Sequence, residues 1–217
     1  MDFPPYYFVN GKGEPDGSLL RLARRVFERA EVPIHSWQCL PAKRVLSNMQ
    51  SDRPIVSIGW FKTPERERVY RFSRCMYKNK QLNAVYLKKN ANRFEGLDRL
   101  ADLLNEKTLR VGLLDGYSLG PVAESIIKKA SPNACRVVGG YDQLIRMLAE
   151  ERFSYIVVAP ESLSHLLRKN HLEAARFVSK HLVDIKQGIC RYLMYSRAVP
   201  DKWVRRIDRA LDELVKE

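Results

Sequence analysis

No stretch of the chain approaches the ~20 consecutive apolar residues of a membrane helix, so nothing in it reads as a membrane span. The opening residues, MDFPPYYF, have neither a basic head nor an apolar middle and do not read as a secretory signal. Cysteine is sparse. Cys39, Cys75, Cys135 and Cys190 lie far apart with no CxxC pair, which excludes a zinc ribbon or a dithiol redox motif on spacing. An even count permits disulfides without saying which residues pair. His35, His165, His171 and His181 lack metal-ligand spacing, and no metal or cofactor is expected. Paired carboxylates and a Cys/His pair are not visible either, and there is no internal repeat or low-complexity segment. Ser125-Ile-Ile-Lys128 has the S-x-x-K form but falls inside a helix without companion motifs. Gly11-Lys-Gly13 has the wrong spacing, and no strand before it, for a dinucleotide fingerprint.

What the chain has in excess is positive charge: 38 Lys and Arg against 25 Asp and Glu, a net +13 over 217 residues. That balance invites nucleic acid or an anionic membrane surface as partner. The basic residues are spread along most helices, however, and Lys88-Lys89 and Arg205-Arg206 are only short clusters. A basic, solvated surface accounts for them, so no specific nucleic-acid partner is expected.

The apolar pattern alternates. A turn-rich connection over Phe8 to Asp16 leads into a helix from about Ser18 to Ala30, with Leu19, Leu22, Ala23, Val26 and Ala30 on one face. Pro41 opens a short helix. Apolar runs at 55–60, 83–87, 109–114, 135–138, 155–159 and 191–196 read as strands. Between them, helical periodicity covers 96–105, about 119–127, 141–150 and 162–182, and a last amphipathic helix covers 201–217. Strands alternating with helices at this spacing predict an α/β protein with parallel sheets.

The segment Ile58 to Tyr77, IGWFKTPERERVYRFSRCMY, organises the rest. A buried strand ends at Trp60, and a loop with Thr63 and Arg66 follows at its carboxyl end, the edge where open α/β sheets bind ligands. A hydroxyl beside a guanidinium fork suits a carboxylate or another planar anion. An ordinary charged loop with an exposed arginine reads the same residues equally well. Ser118, after the strand 109–114, suits a helix N-cap. Glu161, after the strand 155–159, gives a third polar group at a strand's carboxyl end.

PPYYFVNGKGEPDGSLLRLARRVF, the Pro41-Ala-Lys-Arg segment, GWFKTPERERVYRFSRCMY and LRVGLLDGYS, in that order, resemble the bacterial extracellular solute-binding proteins of family 3. These are the polar-amino-acid-type receptors of ABC importers. The resemblance covers nearly the whole chain. It implies a two-lobed, type II periplasmic-binding fold, each lobe a mainly parallel sheet flanked by helices, with two hinge crossings. Lobe one would be 1–82 plus 189–217 and lobe two 83–188, with hinge strands near 77–84 and 186–191. The T-x-E-R position implies Arg66 as the carboxylate anchor beside Thr63. Tyr6, Tyr7 and Trp60 are candidates for stacking on the ligand, with core packing as the alternative. Tyr117 and Ser118 fall on the family's Gly-Ser/Thr turn. A periplasmic or extracellular monomer that binds a small anionic or zwitterionic solute, and works with the membrane subunits of an ABC transporter, is the implied role.

Two departures stand out. The family places a strand and an export signal ahead of the Pro-Pro segment, so the gene is expected to encode further residues upstream. The family's second-lobe aspartate falls near Ala159, with only Glu161 close, which puts an α-amino acid ligand in question. Other readings of the scaffold are a dehydratase-like enzyme, with Glu161 or Glu65 as general acid, and a ligand-sensing domain.

Overall fold

Packing divides the chain at two points, Lys78 to Asn79 and Ile189 to Cys190, giving unit 1 (Met1–Lys78 with Cys190–Glu217) and unit 2 (Asn79–Ile189). The structure, a computed structural model, describes residues 4–130, 133–185 and 189–215. The residues 186–188 of the expected second hinge strand lie outside the described residues.

Unit 1 opens with a small antiparallel pair, β1 (Phe8–Val9) and β2 (Pro15–Asp16). The turn between them is built by Asn10, whose side-chain oxygen accepts the N–H groups of Lys12 and Glu14 at 2.9 and 3.0 Å. Helix α1 (Ser18–Arg29) buries Leu19, Leu20, Ala23, Val26 and Phe27 and turns its arginines outward. It is preceded by Gly17, which has φ +131°, and a Cβ placed there would sit 2.3 Å from the carbonyl oxygen of Tyr6. The obstacle is backbone, which cannot swing aside. Gly17→Ala is therefore expected to cost about 2–4 kcal/mol in denaturant unfolding; a loss under about 0.5 kcal/mol would contradict this contact.

Helix α2 (Ala42–Asn48), strand β3 (Val56–Trp60), helix α3 (Pro64–Val69) and strand β4 (Arg71–Lys78) follow. The chain then enters unit 2 through β5 (Asn83–Leu87), a 3₁₀ segment (Lys88–Phe94) and α4 (Leu100–Asn105). Next come β6 (Val111–Leu114), α5 (Pro121–Ala130), β7 (Ala134–Val137) and α6 (Tyr141–Ala149). The unit closes with β8 (Tyr155–Val158), α7 (Pro160–Lys169) and β9 (Phe177–His181). The sheet order is β7-β6-β8-β5-β9, with β7, β6 and β8 parallel and β5 antiparallel to both its neighbours. Every residue of β5, β6 and β8 is buried, which is why these strands read as continuous apolar runs. In the core, Phe94 stacks on Tyr86 at 3.8 Å and meets Tyr155 edge-on at 6.0 Å.

Two sequence expectations change here. The helical reading of 162–182 ends at Lys169, and Phe177–His181 is an edge strand with alternating, half-exposed residues. The helix expected from Gly96 begins at Leu100, because the carboxylate of Asp184 accepts the N–H groups of Leu100 and Ala101 at 2.7 and 3.1 Å. A cap supplied from 84 residues away leaves no local signal.

The chain returns to unit 1 as β10 (Cys190–Tyr195) and helix α8 (Asp201–Leu214), which packs on α1 and β4. β10 lies between β3 and β4 and runs antiparallel to both. This corrects the expectation of a mainly parallel sheet in each lobe. The β3–α3–β4 crossover leaves a gap one strand wide, and the returning strand fills it from the opposite direction. Cys75 and Cys190 form a disulfide across β4 and β10, with Cα atoms 5.4 Å apart, while Cys39 and Cys135 keep their thiols. Among the described residues no helix is long and apolar enough to cross a membrane.

Candidate functional site

In unit 1 the carboxyl end of β3 is shaped by Gly59, at φ +80°. A Cβ there would lie 2.7 Å from Cε1 of Tyr7, so only glycine lets the Tyr7 ring lie against the strand. Trp60 and Phe61 turn inward and are 4% and 3% exposed. The Trp60 indole N–H donates to Oγ of Ser57 at 2.7 Å. The segment expected as a charged loop is the short helix α3. Thr63 is its N-cap, its Oγ1 accepting the N–H of Arg66 at 3.3 Å, and Pro64 opens the first turn. Thr63 thus holds the backbone that carries Arg66. The Arg66 guanidinium folds back over the Trp60 ring, 4.6 Å from its centroid, and Nη1 donates to the carbonyl of Phe61 at 3.1 Å.

A second arginine enters from β10. Arg191 is 6% exposed, donates from Nη1 to the carbonyl of Gly59 at 2.8 Å, and lies over the rings of Phe61 and Tyr6 at 4.3 and 5.1 Å. Burial pushes the Tyr7 phenol up from its ordinary pKa; Arg191 opposes this, Cys39 adds to it, and Arg66 opposes it. Tyr7, both guanidiniums and Cys39 therefore share one electrostatic neighbourhood. Tyr6 is buried, 1% exposed, with its ring 5.4 Å from that of Tyr77, a core position. Sequence reasoning does not single out Arg191, although a lone charge inside the apolar run Cys190-Arg-Tyr-Leu-Met-Tyr195 is a signal for it.

In unit 2, Tyr117 and Ser118 follow β6 and Glu161 follows β8. These two strands are parallel neighbours, so their carboxyl ends share one sheet edge. Ser118 is not the N-cap of α5, which begins at Pro121; its Oγ accepts the N–H of Gly120 at 3.0 Å, within the turn before the helix. Glu124 reaches back to accept the N–H of Leu119 at 3.1 Å. The ring of Tyr117 meets that of Tyr141 edge-on at 5.7 Å, beside a recess lined by Leu114, Leu119, Arg136 and Leu144. Glu161, in the first turn of α7, accepts the backbone N–H of Lys80 at 3.4 Å, which links α7 to the residues just past the first crossing. Ala159, where the resemblance places an acidic residue, is 1% exposed. Asn83 donates its amide to Oγ of Ser179 at 2.7 Å, while its own Oδ1 and the Oγ of Ser162 are buried without a hydrogen-bond partner. Among the described residues, no three of His, Cys, Asp and Glu are grouped to hold a metal ion.

The sequence model of the bacterial extracellular solute-binding proteins, family 3, matches residues 1–217. Among curated proteins none matches. Solved structures with the same fold include an ancestral arginine-binding protein bound to arginine, at 20% identity over 98% of this chain and 88% of that one, with a TM-score of 0.75. AbpA of Streptococcus pneumoniae, bound to L-arginine, aligns at 19% identity over 98% and 85% of the two chains, with a TM-score of 0.74. A structure described for glutathione import through GshT and the cystine ABC importer TcyBC of Streptococcus mutans aligns at 15% identity over 97% and 84%, with a TM-score of 0.76. Likeness at these identities establishes the type II periplasmic-binding fold and nothing finer.

Proposed function

The chain belongs to the bacterial extracellular solute-binding proteins of family 3, and from that premise we propose that it captures a small polar solute bearing a carboxylate between its two units, for ABC-type import. The family description is that of a binder, in keeping with the reading of the chain as a binding protein and not an enzyme. The observation that carries the carboxylate is Arg66: its guanidinium is already set by the Phe61 carbonyl and the Trp60 ring, at the end of a strand and on a capped helix. A fork held in place before the solute arrives loses little freedom on binding. Proteins of the same fold are described as bound to arginine or to glutamine, so amino acids are the first solutes to test. The disulfide between Cys75 and Cys190 supports a periplasmic or extracellular location, where such bonds persist. Membrane subunits of an ABC importer are the proposed partner.

The test is thermal unfolding of the protein with each of the common amino acids, repeated with the carboxamide form of any that stabilises. A solute at a hundred times its Kd adds about 2.7 kcal/mol, which for this length raises Tm by roughly 5–10 °C. At least one amino acid is expected to do so, and its carboxamide is expected to do little. Equal shifts from acid and carboxamide reject the carboxylate anchor. No shift from any member rejects an amino-acid solute.

A further inference from the structure

We propose that Arg191 is a positioning residue: it fixes the corner Gly59 to Phe61 and, through the Phe61 carbonyl, sets the direction of the Arg66 guanidinium. The inference rests on Arg66 as the anion anchor.

Three observations carry it. First, β3 is bulged where the corner lies. Trp60 pairs with Tyr192 and Ser57 with Met194, so Ile58 and Gly59 together stand opposite Leu193. A bulge bends its strand and re-aims the residues beyond it, and something must fix the new direction. Second, Arg191 supplies that fixing. Its Nη1 donates to the Gly59 carbonyl at 2.8 Å, and the flat face of the same guanidinium covers the Phe61 ring at 4.3 Å. One side chain thus grips the backbone on one side of Trp60 and the side chain on the other. The carbonyl gripped by Arg66 belongs to that same Phe61, at 3.1 Å. Third, Arg191 is itself held. It is 6% exposed under the Tyr6 ring, and the preceding residue, Cys190, is tied to Cys75. Of the two long cationic side chains, arginine alone combines an in-plane donor with a stacking face; a lysine ammonium can donate but has no face to stack.

The experiment reads the corner without any solute. Of the three tryptophans, Trp37 and Trp203 are replaced by Phe, which leaves Trp60 as the sole indole. Arg66→Ala in this background defines the emission of a Trp60 ring without its guanidinium. Arg191→Met is expected to move the Trp60 emission at least halfway to that value. It is also expected to weaken, by tenfold or more, the binding of the amino acid that gives the largest thermal shift. Arg191→Lys, which keeps charge and donor, is expected to fall between parent and Arg191→Met in both readouts. If Arg191→Met is folded and keeps parental emission with an affinity within threefold, the inference is overturned. If Arg191→Met does not fold, Arg191→Lys decides, and parental behaviour in both readouts overturns it. Should Arg66→Ala bind the amino acid normally, the anchor reading fails by itself, and the Trp60 emission still decides what Arg191 positions.

Discussion

Arg66→Ala is expected to weaken solute binding by roughly 30-fold to several-thousand-fold, the equivalent of ~2–5 kcal/mol for removing one partner of a desolvated charge pair. An exposed ion pair would contribute only ~0–1 kcal/mol, so the size of the loss distinguishes an anchor from a surface arginine. Folding should suffer little by comparison. The side chain's hydrogen bond to Phe61 and its contact with the Trp60 ring are together worth about 1–2 kcal/mol. Arg66→Lys should recover little affinity, because an ammonium cannot reproduce the planar fork. Arg68, exposed two residues further along α3, is the control, and Arg68→Ala should bind nearly normally. Titration calorimetry decides. An Arg66→Ala affinity within threefold of the parent contradicts the assignment.

Loss of the Cys75–Cys190 disulfide is expected to lower stability by about 2–5 kcal/mol. The bond closes a loop of 115 residues, and in the chain-entropy view a loop of that order is worth ~4.7 kcal/mol, with measured bonds often delivering less. The loop it closes contains all of unit 2. The bond also joins β4 to β10, the central strand of the three-stranded sheet in unit 1, which the chain supplies only after passing through unit 2. Denaturant unfolding of Cys75→Ser, and of the parent with and without reductant, measures the effect. Thiol counting in denaturant should find two of the four cysteines without reductant and all four with it. Four thiols without reductant, or unchanged stability on reduction, contradicts the bond.

The sequence is most legible where burial is two-sided or periodicity is long. The short apolar runs around Val111 and Ile156, bounded by turn residues, read as strands covered on both faces, and α1 and α8 declare themselves by their apolar stripes. The Thr63-Pro64 pair carries a helix start inside an expected loop, although a capping threonine followed by proline at the first helical position is a local signal. The hidden features depend on distant partners. Strand β9 lies at a sheet edge with none of its residues fully buried, so its composition resembles the helix before it. The start of α4 is fixed by Asp184, and the antiparallel character of the unit 1 sheet by a strand from the far end of the chain. Ser118 looks like a cap because it precedes an apolar helix, yet the helix starts at Pro121, two residues later than a Ser118 cap would place it. At the candidate site, Arg66 and its neighbours are visible as one contiguous segment. Arg191 is not, because its link to Gly59 spans 132 residues.

Capture of a solute between the two units is tested most directly by small-angle X-ray scattering of the protein alone and with a saturating concentration of the amino acid that gives the largest thermal shift. The chain crosses between the units twice, at Lys78 to Asn79 and at Ile189 to Cys190, and the proposed capture treats these crossings as a hinge. The radius of gyration should fall when the solute is added, and it should not fall in Arg66→Ala at the same concentration. A radius that is unchanged at saturation, with binding verified by calorimetry on the same sample, would contradict capture by closure.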